Sequence, residues 1–412
     1  MKRLLTFALW AALFALVAVA LAETVRTAVK ETQGRSGPGS YYELKVLIPQ
    51  GSTLEVLEKQ KSWYKVKYQD QEVWVSVNSL AIEPAAADSV PVRDQFESLP
   101  MDDITVRASP ATMTAAIKGF WTRYSRMQSK TLTELPVDGF DVSIPSYQVF
   151  VQNRLRESSR DKLWEEYQLP RPRPRMLTYE REHSIGYAIA SSIADAPLVT
   201  DPGTIQYVHS VGWYVAESTE GYDTPFTFYI LDTDRINAVS CPGGYVVLTR
   251  GLLELLGDES ELAALIAHEM AHVIAGHAMQ SMEESEVSIR ADSAFDLLAR
   301  ETGTTETEED LIGITNRAVS IATSPKLDEQ EYEADRMALL YLARSGYDLG
   351  GLTRMLTTMM TIHERNIDIF DLNYRNHPDF GERLKRIEQN LREYRRYQGR
   401  TYRDEFARSM NR

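Results

Sequence analysis

Cysteine is almost missing from this sequence: Cys241 stands alone among 412 residues. No disulfide can close within the chain and no thiolate cluster can hold zinc, so stability has to come from buried apolar surface and from any metal held without thiolates. Positive charge is also in short supply. Against 59 Asp and Glu there are 45 Lys and Arg, and the resulting net charge of -14 disfavours nucleic acid as a partner. Beyond the N-terminal segment the sequence lacks long hydrophobic runs. A composition with 43% hydrophobic and 25% charged residues excludes both a mostly disordered chain and a multi-span membrane protein. No internal repeat is present. A chain of 412 residues exceeds the usual size of one core, so two or more folded units are expected, one of them small.

Lys2 and Arg3 precede an apolar run, Leu4 to Ala22, that ends in Ala20-Leu21-Ala22. This is the charge, length and small-residue pattern of a signal peptide over residues 1–22, with the mature chain starting near Glu23 in an exported, periplasmic or extracellular compartment. An uncleaved membrane anchor is the competing reading, since the run is long enough to span a bilayer, and membrane contact is expected only in that case. From Thr24 to Pro84 short alternating runs (Tyr42 to Ile48, Thr53 to Leu57, Trp63 to Tyr68, Val73 to Val77) are broken by turn residues such as Gly37-Pro38-Gly39, which predicts a small all-β barrel over 24–84. The segments "RSGPGSYY", "IPQGSTLEVL", "SWYKVKY" and "VWVSVNSL" resemble a bacterial Src-homology-3-like domain. Val73 departs from that family, which usually has glycine there, and this bears on the local turn. The resemblance implies a module that binds a cell-wall or protein ligand, and a passive spacer is the alternative.

Residues 85–100 are rich in Ala, Pro, Asp and Ser and read as a linker. Residues 101–170 form a connecting region without an assigned role, in which Thr112 to Gln128 suits an amphipathic helix and "FDVSIPSYQVFVQNRL" suits entry into a strand. A helix from Tyr179 to Ala194 opens the catalytic part, taken as 171–395, and 396–412 is a basic helix or tail.

The strongest signal is "ELAALIAHEMAHVIAGH", Glu261 to His277. Good helix formers without proline predict a helix buried on nearly every side. Residues four apart lie about 40° from each other round the axis, so His268 and His272 can share one cation, with Glu269 beside them to take a proton from water. Burying three polar side chains costs several kcal/mol unless a metal satisfies them, so a purely structural role fits poorly. A catalytic zinc needs a third protein ligand and an open position. Glu331 is the candidate: it lies four residues before Asp335 on a helix from Leu327 to Ser345 that Gly346 stops, so one carboxylate can ligate while the other orients an imidazole. Its rival, Glu333, points about 200° away and loses the pairing with Asp335.

Four segments, "INAVSCPGGYVVLTRGLL", "ELAALIAHEMAHVIAGH", "EYEADRMALLYLARSGYD" and "NHPDFGERLKRI", resemble the gluzincin metallopeptidase family of the prenyl-protein (CaaX) processing protease, HtpX and BepA. The resemblance implies His268, His272 and Glu331 as ligands of one zinc ion, Glu269 as base and Asp335 behind a ligand. It further implies an extended substrate beside the strand that holds Asn237 and Ala238, within two strands around the Pro242-Gly243-Gly244 turn. His377 would donate to the oxyanion or plug the open zinc position, and Arg383 would support the site by hydrogen bonding. His277, five residues past His272, falls on a different helix face and suits packing or support of a ligand rather than ligation. His183, His209 and His363 have no partner pattern, and Cys241 reads as a buried thiol. Many members carry membrane-spanning helices around the catalytic helix, whereas Ser281 to Lys326 here is polar, acidic and suited to covering a cleft.

The expected architecture is therefore multidomain: a small all-β barrel followed by a mainly α, zincin-like metallopeptidase domain with a small β element. The expected function is zinc-dependent hydrolysis of extended or misfolded envelope polypeptides in protein quality control. The alternative is a periplasmic chaperone or assembly factor with a regulated or residual protease site.

Overall fold

A computed structural model describes residues 23–81 except Lys61, 133–167 in part, 179–284, Ser320, 327–370 and 379–410. The proposed signal segment, the linker, the helix proposed for Thr112 to Gln128, nearly all of the Ser281 to Lys326 stretch and His377 lie outside the described residues. The chain divides into two compact units, Met1–Val90 and Pro91–Arg412.

The first unit is a seven-stranded antiparallel sheet: β1 (Thr24–Thr27), β2 (Glu31–Arg35), β3 (Leu44–Pro49), β4 (Thr53–Gln60), β5 (Trp63–Tyr68), β6 (Gln71–Ser76) and β7 (Leu80–Ala81), in the order β3-β2-β6-β5-β4-β1-β7. Period-two alternation sends Val66, Val73 and Val75 to one face, where they meet Ile48, Leu54 and Leu80. Ile48 and Leu80 come from the two ends of the strand order, so the sheet has to curl around a shared core. Val73 makes no turn: it pairs with Val66 inside β6 and is buried in that core. A Cβ at Gly34 would lie 2.9 Å from its side chain, so the glycine across the sheet supplies the room that valine fills.

The second unit is helical around a small sheet. Its first helices are α1 (Ile144–Gln152), α2 (Glu157–Glu166), α3 (Tyr179–Ile193) and α4 (Pro202–Ala216). The strand expected to follow Phe140 is helix α1 instead, because Ser143 caps the amide of Ser146 and Pro145 suits the first turn. The sheet holds β8 (Thr227–Leu231), β9 (Ala238–Cys241) and β10 (Tyr245–Thr249) in the order β8-β10-β9. Sequence reading foresaw two strands around the Pro242-Gly243-Gly244 turn. The third, β8, runs parallel to β10, a pairing that no local turn signals.

Further helices follow as α5 (Arg250–Leu255), α6 (Glu259–Ala275), α7 (His277–Glu284), α8 (Asp328–Ser345), α9 (Gly350–Arg365), α10 (Phe380–Asn390) and α11 (Arg403–Ser409). Helix α6 starts where Asp258 accepts from the amide of Glu261 and stops at Gly276, whose φ of 70° is the left-handed cap. It is buried continuously from Glu259 to His272, packed among α4, α8, α9 and β9.

Buried ion pairs join the early helices to this core. Arg154, just after α1, donates to both carboxylate oxygens of Glu259 at 2.7 Å, and Arg160 of α2 reaches Glu217 at 2.7 Å. Arg344 of α8 pairs with Glu220 at 2.7 Å and lies 3.9 Å from the Trp164 ring centroid. Such pairs fix which surfaces meet more than they add net stability.

Candidate metal centre

Helix α6 carries His268 and His272 one turn apart, and both are buried, so their imidazoles leave the helix in the same direction. Helix α8 packs against α6 and brings Glu331 and Asp335, also one turn apart and buried. The Nε2 atoms of the two histidines are 3.2 Å apart. Each lies 3.3 Å from a carboxylate oxygen of Glu331, His268 from Oε2 and His272 from Oε1. A tetrahedral zinc with arms of about 2.0–2.1 Å has ligand-to-ligand edges of about 3.3 Å. The two Glu331 distances end on different oxygens; with one donor atom taken from each residue the three lie within 4.8 Å of one another, close enough for small side-chain adjustments to bring them onto one divalent ion. Glu333, the rival for third ligand, is outside this cluster.

Behind His268, Nδ1 sits 3.0 Å from Oδ1 of Asp335. Helix α10 completes this layer. Its buried residues Phe380, Arg383 and Ile387 fall on one face, which turns Arg383 inward while Lys385 and Arg386 stay at the surface. Arg383 donates to Asp335 through Nε at 2.9 Å and Nη2 at 2.7 Å, and its Nη1 lies 3.1 Å from Oε2 of Glu331. Burial raises the Asp335 carboxyl, but the Arg383 guanidinium and the bond to His268 prevail and hold it below the usual range. Burial likewise opposes charge on His268. Hydrogen bonds to Asp335 and Glu331 outweigh it, and the pKa is pushed up to about 9.

Glu269 follows His268 on α6 and is 5% exposed. Next to this cluster, β9 forms an edge of the sheet, and Ala238 is its first residue with Asn237 immediately before it. The opposite edge, β8, is already covered: the amide of Val199 donates to Ile230 and that of Asp232 donates to Pro197. Ser240, Cys241 and Pro242 line a small cavity together with His272, Gly276 and Met279. Asn237 itself is engaged with Thr249, its amide and carbonyl both meeting that hydroxyl, at 3.0 and 3.1 Å.

The partner of His277 is set by the turn at the end of α6. Helical spacing alone puts His277 on a different face from His272, but α6 ends at Gly276 and the chain turns, which brings Nδ1 of His277 to 2.8 Å from Nδ1 of His272, in keeping with support of a ligand. Glu333 then lies 3.3 Å from Nε2 of His277. A left-handed cap one residue before a histidine is the sequence signal that could have suggested it. Three other described histidines pack against neighbours within the fold. His183 meets the Tyr245 hydroxyl at 2.7 Å, and His363 packs edge-on against Phe370. In His209 burial lowers the pKa to about 4, in keeping with a neutral ring that accepts from the amide of Phe228.

Comparison with known proteins is consistent with this geometry. The profile described as Peptidase family M48 matches residues 202–391, and the bacterial SH3 domain profile matches residues 35–81. A beta-barrel assembly-enhancing protease of Yersinia pestis is 31% identical over 180 residues, 42% of this chain and 36% of the relative. Its namesake in Escherichia coli (strain K12) is 29% identical over 192 residues, 45% of this chain and 38% of the relative. A mitochondrial metalloendopeptidase of Schizosaccharomyces pombe is 26% identical over 210 residues, 50% of this chain and 58% of the relative. The match with the two bacterial proteins spans little more than a third of their length, 36% and 38%.

Proposed function

We propose, for a chain whose residues 202–391 form a domain of peptidase family M48 and whose residues 35–81 form a bacterial SH3 domain, that it is a zinc-dependent endopeptidase. The single observation that carries this reading is the buried triangle of His268, His272 and Glu331, in which one donor atom from each residue lies within 4.8 Å of the others. These three residues would hold one zinc ion, which would supply the Lewis acidity that activates water and polarises an amide carbonyl. Glu269 takes a proton from the attacking water and delivers it to the leaving amine nitrogen. Asp335 and Arg383 keep the His268 ring in register, and the strand of Asn237 and Ala238 at the β9 side of the sheet lies alongside the backbone of an extended polypeptide. Edge pairing reads main chain rather than side chains, so it favours unfolded or misfolded substrates.

The names of the bacterial relatives and the N-terminal run of Leu4 to Ala22 support an envelope setting, with extended envelope proteins as substrates and a wall or protein ligand for the SH3 domain. Among the described residues no helix is long and apolar enough to cross a membrane. His377 keeps two roles in this reading, oxyanion donor or plug of the open position. The test is cleavage of unfolded casein together with metal analysis. Glu269→Gln should retain about one zinc per chain while turnover falls by about 10²–10⁴-fold, and His272→Ala should lose the metal. Wild-type activity that survives complete metal removal would refute the proposal. The word "assembly" in the relatives' names favours a second reading, a client-assembly factor in which cleavage is secondary, and full rescue of a deletion phenotype by Glu269→Gln would select it.

A further inference from the structure

The two histidines of the candidate centre are supported differently. His268 is backed directly by the carboxylate of Asp335 at 3.0 Å. His272 has another imidazole behind it, at 2.8 Å between the Nδ1 atoms, with the rings crossed at 71°. Of two facing imidazole nitrogens only one can carry the proton, so the contact selects a tautomer for both rings at once. Nε2 of His272 points into the triangle and must present a lone pair there to ligate. Its proton therefore belongs on Nδ1 and is donated to Nδ1 of His277. His277 must then carry its own proton on Nε2, and that nitrogen faces Oε2 of Glu333 at 3.3 Å. The order from surface to centre is carboxylate, His277, His272, ligand position.

We propose that His277 and Glu333 are positioning residues for His272, holding its ring orientation and its Nδ1–H tautomer through a relayed carboxylate. This rests on the metal-centre reading of His268, His272 and Glu331 and adds to it the support of the second imidazole. The local structure is built for the contact. Along an unbroken helix His277 would point about 140° away from His272, and the φ of 70° at Gly276 removes that obstacle. His277 is 1% exposed, whereas the Glu333 side chain is 40% exposed, so the relay runs from the buried centre to the surface. Carboxylates behind ligating histidines contribute about 10–100-fold in metal affinity, and His277 passes that influence one ring further.

The test measures zinc affinity of the full chain by chelator competition, with the visible spectrum of the cobalt-substituted protein and the melting temperature of the metal-free protein as parallel readouts. His277→Leu should weaken zinc about 10–100-fold and alter the cobalt spectrum. His277→Asn, which keeps an acceptor near the Nδ1 position, should restore most of that loss. Glu333→Ala, at a partly exposed position, should weaken zinc several-fold without lowering the metal-free melting temperature, and it carries the test if His277→Leu does not fold. A purely structural role would lower the melting temperature and leave affinity and spectrum alone, which would overturn the proposal. Wild-type protein that takes up zinc, with Glu333→Ala and His277→Leu within twofold of it, would overturn the relay alone. Wild-type protein that takes up none would overturn the metal centre and the relay together.

Discussion

Replacing Arg154 with alanine should unfold the second unit at markedly lower temperature, although the residue lies far in sequence from the candidate centre. Its guanidinium donates to both oxygens of Glu259 at 2.7 Å. It also lies 4.0 Å from the ring centroids of Phe150 and Tyr402. The paired side chains are 2% and 0% exposed, so water cannot replace what is removed. Deleting one partner of such a buried pair costs about 3–5 kcal/mol, and at about 2 °C per kcal/mol for a unit of this size the melting temperature should fall by about 6–10 °C. The loss should depend on pH. Burial raises the Glu259 carboxyl, opposed by Arg154 and by hydroxyl bonds from Tyr207 and Tyr347. Without Arg154 burial is opposed less, and Glu259 takes up a proton more readily. A carboxyl raised in the folded state contributes stability that is present below its unfolded pKa and lost as pH rises through the folded one. The deficit of Arg154→Ala relative to wild type should therefore be full at pH 8 and shrink as the pH falls toward the ordinary carboxyl range. Adding Glu259→Gln should recover part of it. Calorimetric scans of the three proteins at both ends of that range provide the test. A melting temperature within about 1 °C of wild type at pH 8, or a deficit that grows on acidification, would refute the reasoning.

Two further outcomes follow from the same structure. The His268 pKa of about 9 stands above its ordinary value, so the metal-free protein gains stability from protonated His268 below about pH 6.5 and loses it as the pH rises through 9. Its melting temperature should drop over that interval, and zinc uptake at pH 7 should release a proton detectable with an indicator dye; uptake without release would contradict the assignment. Gly186 of α3 faces the turn between β9 and β10, and a Cβ there would lie 1.7 Å from the carbonyl oxygen of Pro242. Gly186→Ala should displace that turn, cost about 1–3 kcal/mol or more, and lower kcat/KM as the β9 edge shifts; unchanged thermal stability would show that the contact relaxes freely.

The sequence by itself determined whatever depends on local period. Strand β5 over Trp63–Tyr68, the buried helix around His268 and His272, and the pairing of Glu331 with Asp335 all follow from side-chain spacing along one element, which a linear reading can count. It also indicated where a helix stops, as at Gly346. Tertiary structure alone decided what reaches across elements. It set the meeting of His268 and His272 on α6 with Glu331 on α8, the bond of Arg383 to Asp335 across 48 residues, and the pair of Arg154 and Glu259 across 105. It paired β8 in parallel with β10, and it returned His277 to His272 by ending a helix between them. The reason is physical: periodicity says which face of an element a side chain occupies, but the partner of that face is chosen by packing and by the burial cost of leaving a charge without a counterpart.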